Sequence, residues 1–373
     1  MNKKINLALA GCLFASILSA EVSRNIKKTF IKETIVNGDI VLYNEQQHNR
    51  GSNKDAGFTM SSIGLEFKTT DFYDFKGTLG LRANSKFNEK EDSDYDGGDS
   101  DYPRYLLHTA NISYTNDNFS LVVGRQEIDL EWISDFHEAY IATLMTIPDT
   151  TIVALHSDKI AVADEDAVLE SFKDIEKYGV NVLNVRYDGV EGLRLNAYYY
   201  NIKDVSDYYG AKIDYNTNIF GFTNRFGFTT QYALSDEDIA GEKDGSIANV
   251  EIRGSFSDIS LSVGYITTDK DAGIGSMDKI GDNINPLEDG NQVYAINSDT
   301  VYIGASYKIF KINIDAIYGN SDYGLNKKEK EFNLGIEYNF NDKFAIGALF
   351  ANVDADNSDD DYKKCLCSAS YSF

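Results

Sequence analysis

Four arginines stand singly among apolar or small residues and are the side chains best placed to act on charged solutes. They are Arg82, Arg186, Arg194 and Arg253. Because successive side chains of a strand point to opposite faces, each arginine would face away from its apolar neighbours. An arginine facing lipid at mid-bilayer costs about 2–4 kcal/mol, so in a membrane-spanning sheet these four must face water. Two interpretations follow: they line a water-filled path, or they only pair with carboxylates of neighbouring strands.

Carboxylates are concentrated in three segments, EDSDYDGGDSDY at 91–102, DEDIAGEKDG at 236–245 and DADNSDDDYK at 354–363. Oxygen ligands on flexible loops suit calcium, but none of the three has the twelve-residue ligand spacing that ends in Glu. Solvated, mutually repelling surface loops are the default interpretation, and a calcium site is the alternative. In both cases loops this negative would concentrate cations near them.

Catalytic chemistry has little support in the sequence. The four histidines, His48, His108, His137 and His156, lie in no recognisable catalytic motif, and the sequence contains no G-x-S-x-G. Cys365 and Cys367 lie two residues apart on one strand face, a spacing that matches neither a metal site nor a redox motif. The sequence therefore predicts a protein that is not an enzyme and that has no resident metal or cofactor.

The first twenty residues predict export. Lys3 and Lys4 precede an apolar stretch that is too short to span a bilayer, and Ser19 and Ala20 provide a small-residue cleavage site. Residues 1–20 are thus predicted to be a signal peptide and residues 21–373 a single domain. The alternative is a lipoprotein signal ending at Cys12. Without residues 1–20 the formal charge of −24 becomes −26, which excludes nucleic acid as a partner.

The elements that would carry these residues are strands with two unlike faces. At the carboxy-terminus Cys365, Cys367, Ala369, Tyr371 and Phe373 share one face, and serines share the other. Successive residues of a barrel strand face lipid and the lumen in turn, so this pattern predicts a transmembrane antiparallel β-barrel. Eighteen segments show it, near residues 37–45, 57–69, 75–86, 104–115, 118–127, 138–145, 150–157, 179–188, 192–201, 207–215, 224–233, 246–255, 258–267, 299–308, 311–319, 330–339, 343–352 and 364–373.

The connections between these strands alternate in length. Those at 115–118, 188–191, 256–258, 309–311 and 340–343 are tight turns, and those between them are longer, acidic and rich in Gly. This predicts short periplasmic turns and long extracellular loops. Around 201–224 the two kinds of connection have similar lengths, so a sixteen-strand barrel is the alternative. Residues 164–179 carry an apolar spacing that predicts a helix on the loop side.

The exported start, the block GRQEIDLEWISDFHEAYIATLMTIPDTTIVALHSD at 124–158 and the terminal SASYSF together resemble the Opr-type (OprD-like) outer-membrane porins of Gram-negative bacteria. The resemblance runs from about Asn37 to the end. It implies an eighteen-strand barrel, monomeric or a homotrimer, in the Gram-negative outer membrane. The final Phe373 is similar to the signal that the barrel-assembly machinery reads.

The resemblance also implies a third loop that folds inward and narrows the pore, facing a file of basic residues. Here that loop corresponds to residues 127–137. Its candidate constriction acids are Asp129, Glu131 and Asp135. Arg125, at the end of the fifth predicted strand beside this loop, is also a candidate constriction residue. The loop is shorter than expected for substrate-selective members, and the sequence names no solute.

The sequence thus predicts passive diffusion of small hydrophilic solutes and ions through a water-filled barrel set in outer-membrane lipid, with a preference for cations. The alternative function is a surface adhesin or receptor whose barrel is only an anchor for long acidic loops.

Overall fold

The computed structural model describes residues 34–70, 73–96, 102–218 and 225–373. The signal peptide predicted at 1–20 lies outside these residues. About two thirds of the described chain is antiparallel sheet. The strands are β1 Ile35–Asn49, β2 Ala56–Lys68, β3 Phe75–Glu89, β4 Tyr105–Thr115, β5 Phe119–Glu127, β6 Phe136–Leu144, β7 Thr150–Ala161, β8 Lys173–Asp174, β9 Val180–Val190, β10 Leu193–Ile202, β11 Ser206–Asn218, β12 Arg225–Glu237, β13 Ser246–Phe256, β14 Ile259–Thr268, β15 Asp299–Ile309, β16 Ile312–Tyr323, β17 Lys327–Asn341, β18 Phe344–Asp354 and β19 Tyr362–Ser372.

The sheet closes on itself. Each long strand pairs with the next along the chain, β7 pairs directly with β9, and β19 pairs with β1 over the register from Asp39↔Ser372 to Asn49↔Tyr362. Two further bonds join Gly38 and Phe373, from Gly38 N to Phe373 O at 3.0 Å and from Phe373 N to Gly38 O at 2.9 Å. The two-residue β8 only extends the edge of β7. The result is the predicted eighteen-strand barrel, and the sixteen-strand alternative is wrong.

The two faces of the strands differ as the alternation predicted. On β14 the exposed residues Ile259, Leu261, Val263 and Tyr265 alternate with partly buried serines and buried residues. Apolar side chains that are exposed in rows around a closed barrel form its lipid-facing band. Cys365 and Cys367 are free thiols on the same outer face. Among the described residues no helix is long and apolar enough to cross a membrane, a finding that concerns helices only.

The connections sort into two ends, but less regularly than predicted. The turn end has short links such as 257–258, 310–311 and 342–343. The opposite end, here called the loop end, carries the long connections 162–179 and 269–298, yet its links 203–205 and 324–326 have only three residues each. Length alone therefore does not identify the loop end, because some neighbouring strands there are joined as tight hairpins.

The helix predicted within 164–179 is wrong. The segment is extended, and its backbone hydrogen bonds go elsewhere: Glu170 N donates to Val162 O at 3.0 Å and Ile175 N to Asp158 O at 2.8 Å. Its apolar side chains do not share one helical face, because Leu169 packs in a cluster with Leu106 whereas Ile175 packs in another. Burial on two separate surfaces requires an extended chain.

The lipid-facing assignment can be tested on β15 with a pair of substitutions. Ile303→Arg places a charge on an outward position that is 56% exposed, and it should lower the free energy of unfolding in lipid by about 2–4 kcal/mol. Ser306→Arg on the opposite face lies across from Asp315, and its effect should be much smaller. Denaturant unfolding of refolded protein in vesicles measures both variants. Equal losses would contradict the assignment of faces.

Candidate functional site

Arg82 lies on the inner face of β3, held by β1 and β2. Its guanidinium donates to both carboxylate oxygens of Asp39 at 2.9 Å and to the hydroxyl of Ser62 at 2.7 Å. Only 8% of Arg82 is exposed. A forked pair of this kind fixes both side chains and offsets most of the arginine's charge. Arg82 is therefore a rigid part of the lumen wall.

The other three arginines predicted to face the lumen also have acidic partners. Nε of Arg186 lies 2.8 Å and Nε of Arg194 lies 2.9 Å from the carboxylate of Asp188, and Arg253 pairs with Glu251. The structure thus contains the pairing with carboxylates that the sequence analysis gave as the second interpretation of these arginines. That pairing does not prevent them from lining a water-filled path, since their side chains are 40–54% exposed. A pore-lining role remains a prediction.

Residues 128–135 connect β5 to β6 and form the third connection at the loop end, here called the third loop. This connection is shorter than the predicted 127–137. Trp132, the only tryptophan, has no exposed surface, and its Nε1 donates to Tyr198 Oη at 3.1 Å. Its backbone N–H donates to Tyr200 Oη at 3.4 Å. Both tyrosines are buried, whereas Tyr199 between them is exposed on the outside of β10. The contacts of the third loop are thus with lumen-facing side chains.

Two of the three acids of the third loop are engaged by other parts of the protein. Asn283 donates to Asp129 at 2.9 Å, and Lys212 on β11 lies 2.9 Å from Glu131. The Glu131 side chain is only 13% exposed, and its second carboxylate oxygen is buried without a partner among the described residues. Asp135 accepts a hydrogen bond from Ser134 of the same loop at 3.0 Å, and burial raises the pKa of Asp135. Asp129 and Glu131 thus hold the loop against its surroundings.

A second connection, 269–298 between β14 and β15, meets the third loop. This seventh loop accepts a hydrogen bond from Ser134 N at Ile280 O, 3.0 Å away. Gly281 has a φ of +119°, and a Cβ there would lie 2.3 Å from Ser134 Oγ, so only glycine permits this approach. The ring of Tyr294 lies 6.5 Å from that of Trp132. The two loops therefore form one packed unit.

The seventh loop is fastened to the wall on its far side. The carboxylate of Glu331 on β17, which is 2% exposed, accepts the backbone N–H groups of Asp289 at 3.0 Å and Gly290 at 2.8 Å. Lys364 on β19 pairs with Asp289 and lies 3.1 Å from Glu288. Two charged anchors, each with more than one bond, hold this end of the loop.

Side chains of these two loops and of the wall they contact form one large apolar cluster inside the barrel. Its members come from β6, β7, β9 to β15, both loops, the connection 162–179 at residue 175 and the link at residue 205, and they include Trp132, Tyr200, Tyr208, Met277 and Val293, all with no exposed surface. The lumen is therefore not lined by polar residues throughout. Its inner face is polar on one side and packed on the other.

Arg125, at the end of β5, pairs with Glu138 on β6, with Nη2 2.7 Å from the carboxylate. Its guanidinium also lies 4.2 Å from the ring centre of Phe172 in the fourth loop, residues 162–179. The fourth loop reaches the inner face of β3, where Asn84 donates to Ala167 O at 2.7 Å. Arg125 therefore helps to hold the fourth loop, besides adjoining the third.

A cavity of about 750 Å³ remains along β1 to β5. It is lined from the turn end, at Asp342 and Lys343, to Asp164 and Glu165 of the fourth loop, and Arg82 also lines it. A second space of about 560 Å³ lies beside the seventh loop. Within the described residues no three His, Cys, Asp or Glu side chains lie close enough together to hold a metal ion.

Comparison with known proteins agrees with this architecture. A family model described as "Putative outer membrane protein" matches residues 45–235, just over half of the chain, so the chain belongs to this family of outer membrane proteins. It is accordingly a β-barrel of the Gram-negative outer membrane. No protein in a search of curated sequences matches it.

Solved porin structures share the fold across nearly the whole chain. The chain is similar to Pseudomonas aeruginosa OccK8 (OprE), with 11% identity, a TM-score of 0.74 and coverage of 92% of this chain and 99% of that one. For P. aeruginosa OpdO the identity is 13% and the TM-score 0.76, with coverage of 93% of this chain and 98% of that one. For Acinetobacter baumannii OccAB4 the identity is 13% and the TM-score 0.75, with coverage of 91% of this chain and 98% of that one. The predicted OprD-like porin fold is confirmed.

Sequence reasoning missed the seventh loop and the role of the fourth. A signal was present in the first case: 269–298 contains Ile274, Met277, Ile280, Ile284 and Leu287, an apolar content that solvated loops do not need. The anchors Glu331 and Lys364 are ordinary inward charges on their strands. Their partners are distant in sequence, so spacing could not reveal them.

The single tryptophan makes the third-loop arrangement testable. Lys212→Met leaves the Glu131 carboxylate buried without its cation, at a cost of about 1–3 kcal/mol, which favours release of the loop. Trp132 emission should then shift to longer wavelength, and quenching by acrylamide should rise. Lys308→Met on β15 is the matched control and should change neither. Adding Glu131→Gln to Lys212→Met should restore part of the protection. Unchanged emission in Lys212→Met would contradict a role for the pair in holding the loop.

Proposed function

We propose that the protein is a passive diffusion channel for small hydrophilic solutes and ions. The observation that carries this proposal is the cavity along β1 to β5, which runs beside the apolar cluster from the turn end to the fourth loop. A closed barrel with an apolar outside needs a polar interior only if water fills it. The porin fold supports a channel over an enzyme, and no catalytic arrangement was predicted.

The third loop narrows the bore in this proposal, together with the seventh. Asp129, Glu131, Asp135 and Arg125 belong to the constriction mainly by fixing the loops, because each has a protein partner. The arginines with half-exposed side chains line the wider part near the turn end. The net formal charge of −24 supports a preference for cations, since a negative mouth raises their local concentration.

The partners follow from the same proposal. Outer-membrane lipids contact the apolar band, Phe373 serves as the signal for the barrel-assembly machinery, and a homotrimer is the proposed assembly. Calcium binding by the acidic loops stays an alternative to their simple solvation. Residues 1–20 act as the signal peptide of a single-domain barrel.

The alternative, a surface adhesin or receptor acting through its loops, is less well supported. Two loop-end connections have only three residues, and the longest, 269–298, is anchored on Glu331 and Lys364 inside the barrel. Little of the described loop-end chain is left to form a separate recognition surface.

Planar-bilayer recording of purified protein tests the channel. Discrete ohmic steps are expected, because the cavity extends from the turn end to the fourth loop, and the reversal potential in a KCl gradient should have the sign of a cation-preferring pore. A heat-denatured sample is the control. Absence of steps from folded protein would rule out the channel, and an anion-selective reversal potential would rule out the charge preference.

A further inference from the structure

The cavity and the third loop, which was predicted to narrow the pore, lie on different sides of the lumen. The third and seventh loops, with their apolar cluster, occupy the side of the lumen formed by β9 to β15. The cavity lies on the other side, against β1 to β5, and its loop-end boundary is formed by the fourth loop. Ions that pass along this cavity therefore meet Asp164 and Glu165 of the fourth loop, whereas the acids of the third loop do not line it.

The charges around this cavity are predominantly negative. Its lining includes six carboxylates against three basic side chains, with the members Asp39, Glu66, Glu127, Asp164, Glu165 and Asp342 on one side and Lys68, Arg82 and Lys343 on the other. Within this set Glu66 lies 2.7 Å from Lys68, and Asp39 is bound by Arg82. The remaining acids leave the cavity with a net negative field.

Asp164 and Glu165 are held less tightly than Asp129 and Glu131 of the third loop. Among the described residues neither carboxylate has a hydrogen-bond partner, and the ion pair between Glu165 and Nη2 of Arg82 spans 3.9 Å. The Glu165 side chain is 57% exposed to the cavity, whereas that of Glu131 is 13% exposed and bound to Lys212. An exposed carboxylate with only a long ion pair can still attract a passing cation.

The position of the two acids is nevertheless fixed. Asn84 donates to Ala167 O at 2.7 Å, and Leu169 is fully buried against Leu106 and Phe136. These contacts are with β3, β4 and β6, and they hold the fourth loop over Arg82. A charge held at a fixed place in a narrow path acts on every ion that passes it.

We propose that Asp164 and Glu165, placed on the fourth loop above the Asp39–Arg82 pair, form the site at which this channel selects monovalent cations. The inference rests on the proposed channel function and assigns the selectivity to two residues outside the third loop. Arg82 acts as a positioning residue that keeps Asp39 and the wall beneath the site in place.

The surroundings of Asp164 make the selectivity depend on pH. Burial, reinforced by Asp135 of the third loop and by Asp166 and Glu165 of its own loop, raises the pKa of Asp164 to about 6, while Arg82 opposes the rise. The carboxyl is charged above that pH and neutral below it. Cation preference should therefore be complete at pH 7 and decline as the pH falls towards 5. His108 on β4 also lines the cavity.

Reversal potentials in a KCl gradient test the site. Asp164→Asn and Glu165→Gln should each reduce the K⁺-to-Cl⁻ permeability ratio by about five-fold at pH 7, because one charge at roughly 8 Å in water attracts K⁺ and repels Cl⁻ to the same extent. Asp117→Asn, the same charge change on the exposed 116–118 turn at the turn end, is the control and should leave the ratio unchanged. The heat-dependent shift of the folded barrel in gel electrophoresis verifies that each variant has folded.

A pH series separates Asp164 from other groups. The wild-type ratio should fall between pH 7 and pH 5, and Asp164→Asn should remove most of that fall. Conducting variants with the wild-type ratio at pH 7 would overturn the site while leaving the channel intact. A folded wild type that does not conduct would overturn the channel, and the site with it.

Discussion

Closure between the first and last strands is the constraint on which the rest of the structure depends. In the hydrocarbon core no water is available to a free N–H or C=O, so an open sheet edge would leave several such groups unpaired at a cost of several kcal/mol each. The ladder between β1 and β19 removes both edges, and the Gly38–Phe373 pair completes it at the turn end. A carboxy-terminal strand that ends on its final residue is what permits this completion.

Closure also explains why the interior can be divided. The outer face contacts lipid, so the inner face does not have to be uniform. One part of the lumen can be filled with side chains while another part holds water. On one side tyrosines of β10 and β11 accept the third and seventh loops as a core, with Trp132 at its centre. On the other side charged residues stay in contact with open space. The barrel thus combines an interior like that of a soluble protein with a water-lined one.

Features that depend on residues close together in the sequence could be predicted, whereas features that depend on contacts between distant residues could not. Alternation is local, so the strand count, the lipid-facing rows and the inward arginines could be predicted. The fate of the loops depends on contacts between residues far apart, such as Lys212 with Glu131 or Glu331 with Gly290, and no spacing encodes them. The failed helix in 164–179 has the same origin, because Leu169 and Ile175 pack on different partners. The third-loop acids could be selected as candidates from the family resemblance, but their partners Asn283 and Lys212 could not.

The anchoring of the seventh loop has a consequence for the order in which the molecule is assembled. Its two fastenings, Glu331 and Lys364, belong to the third-last and the last strand of the chain. The segment 269–298 precedes both strands, so it has no attachment on that side until the carboxy-terminal hairpins have joined the sheet. Complete attachment of the seventh loop therefore requires β19, the same strand that closes the barrel.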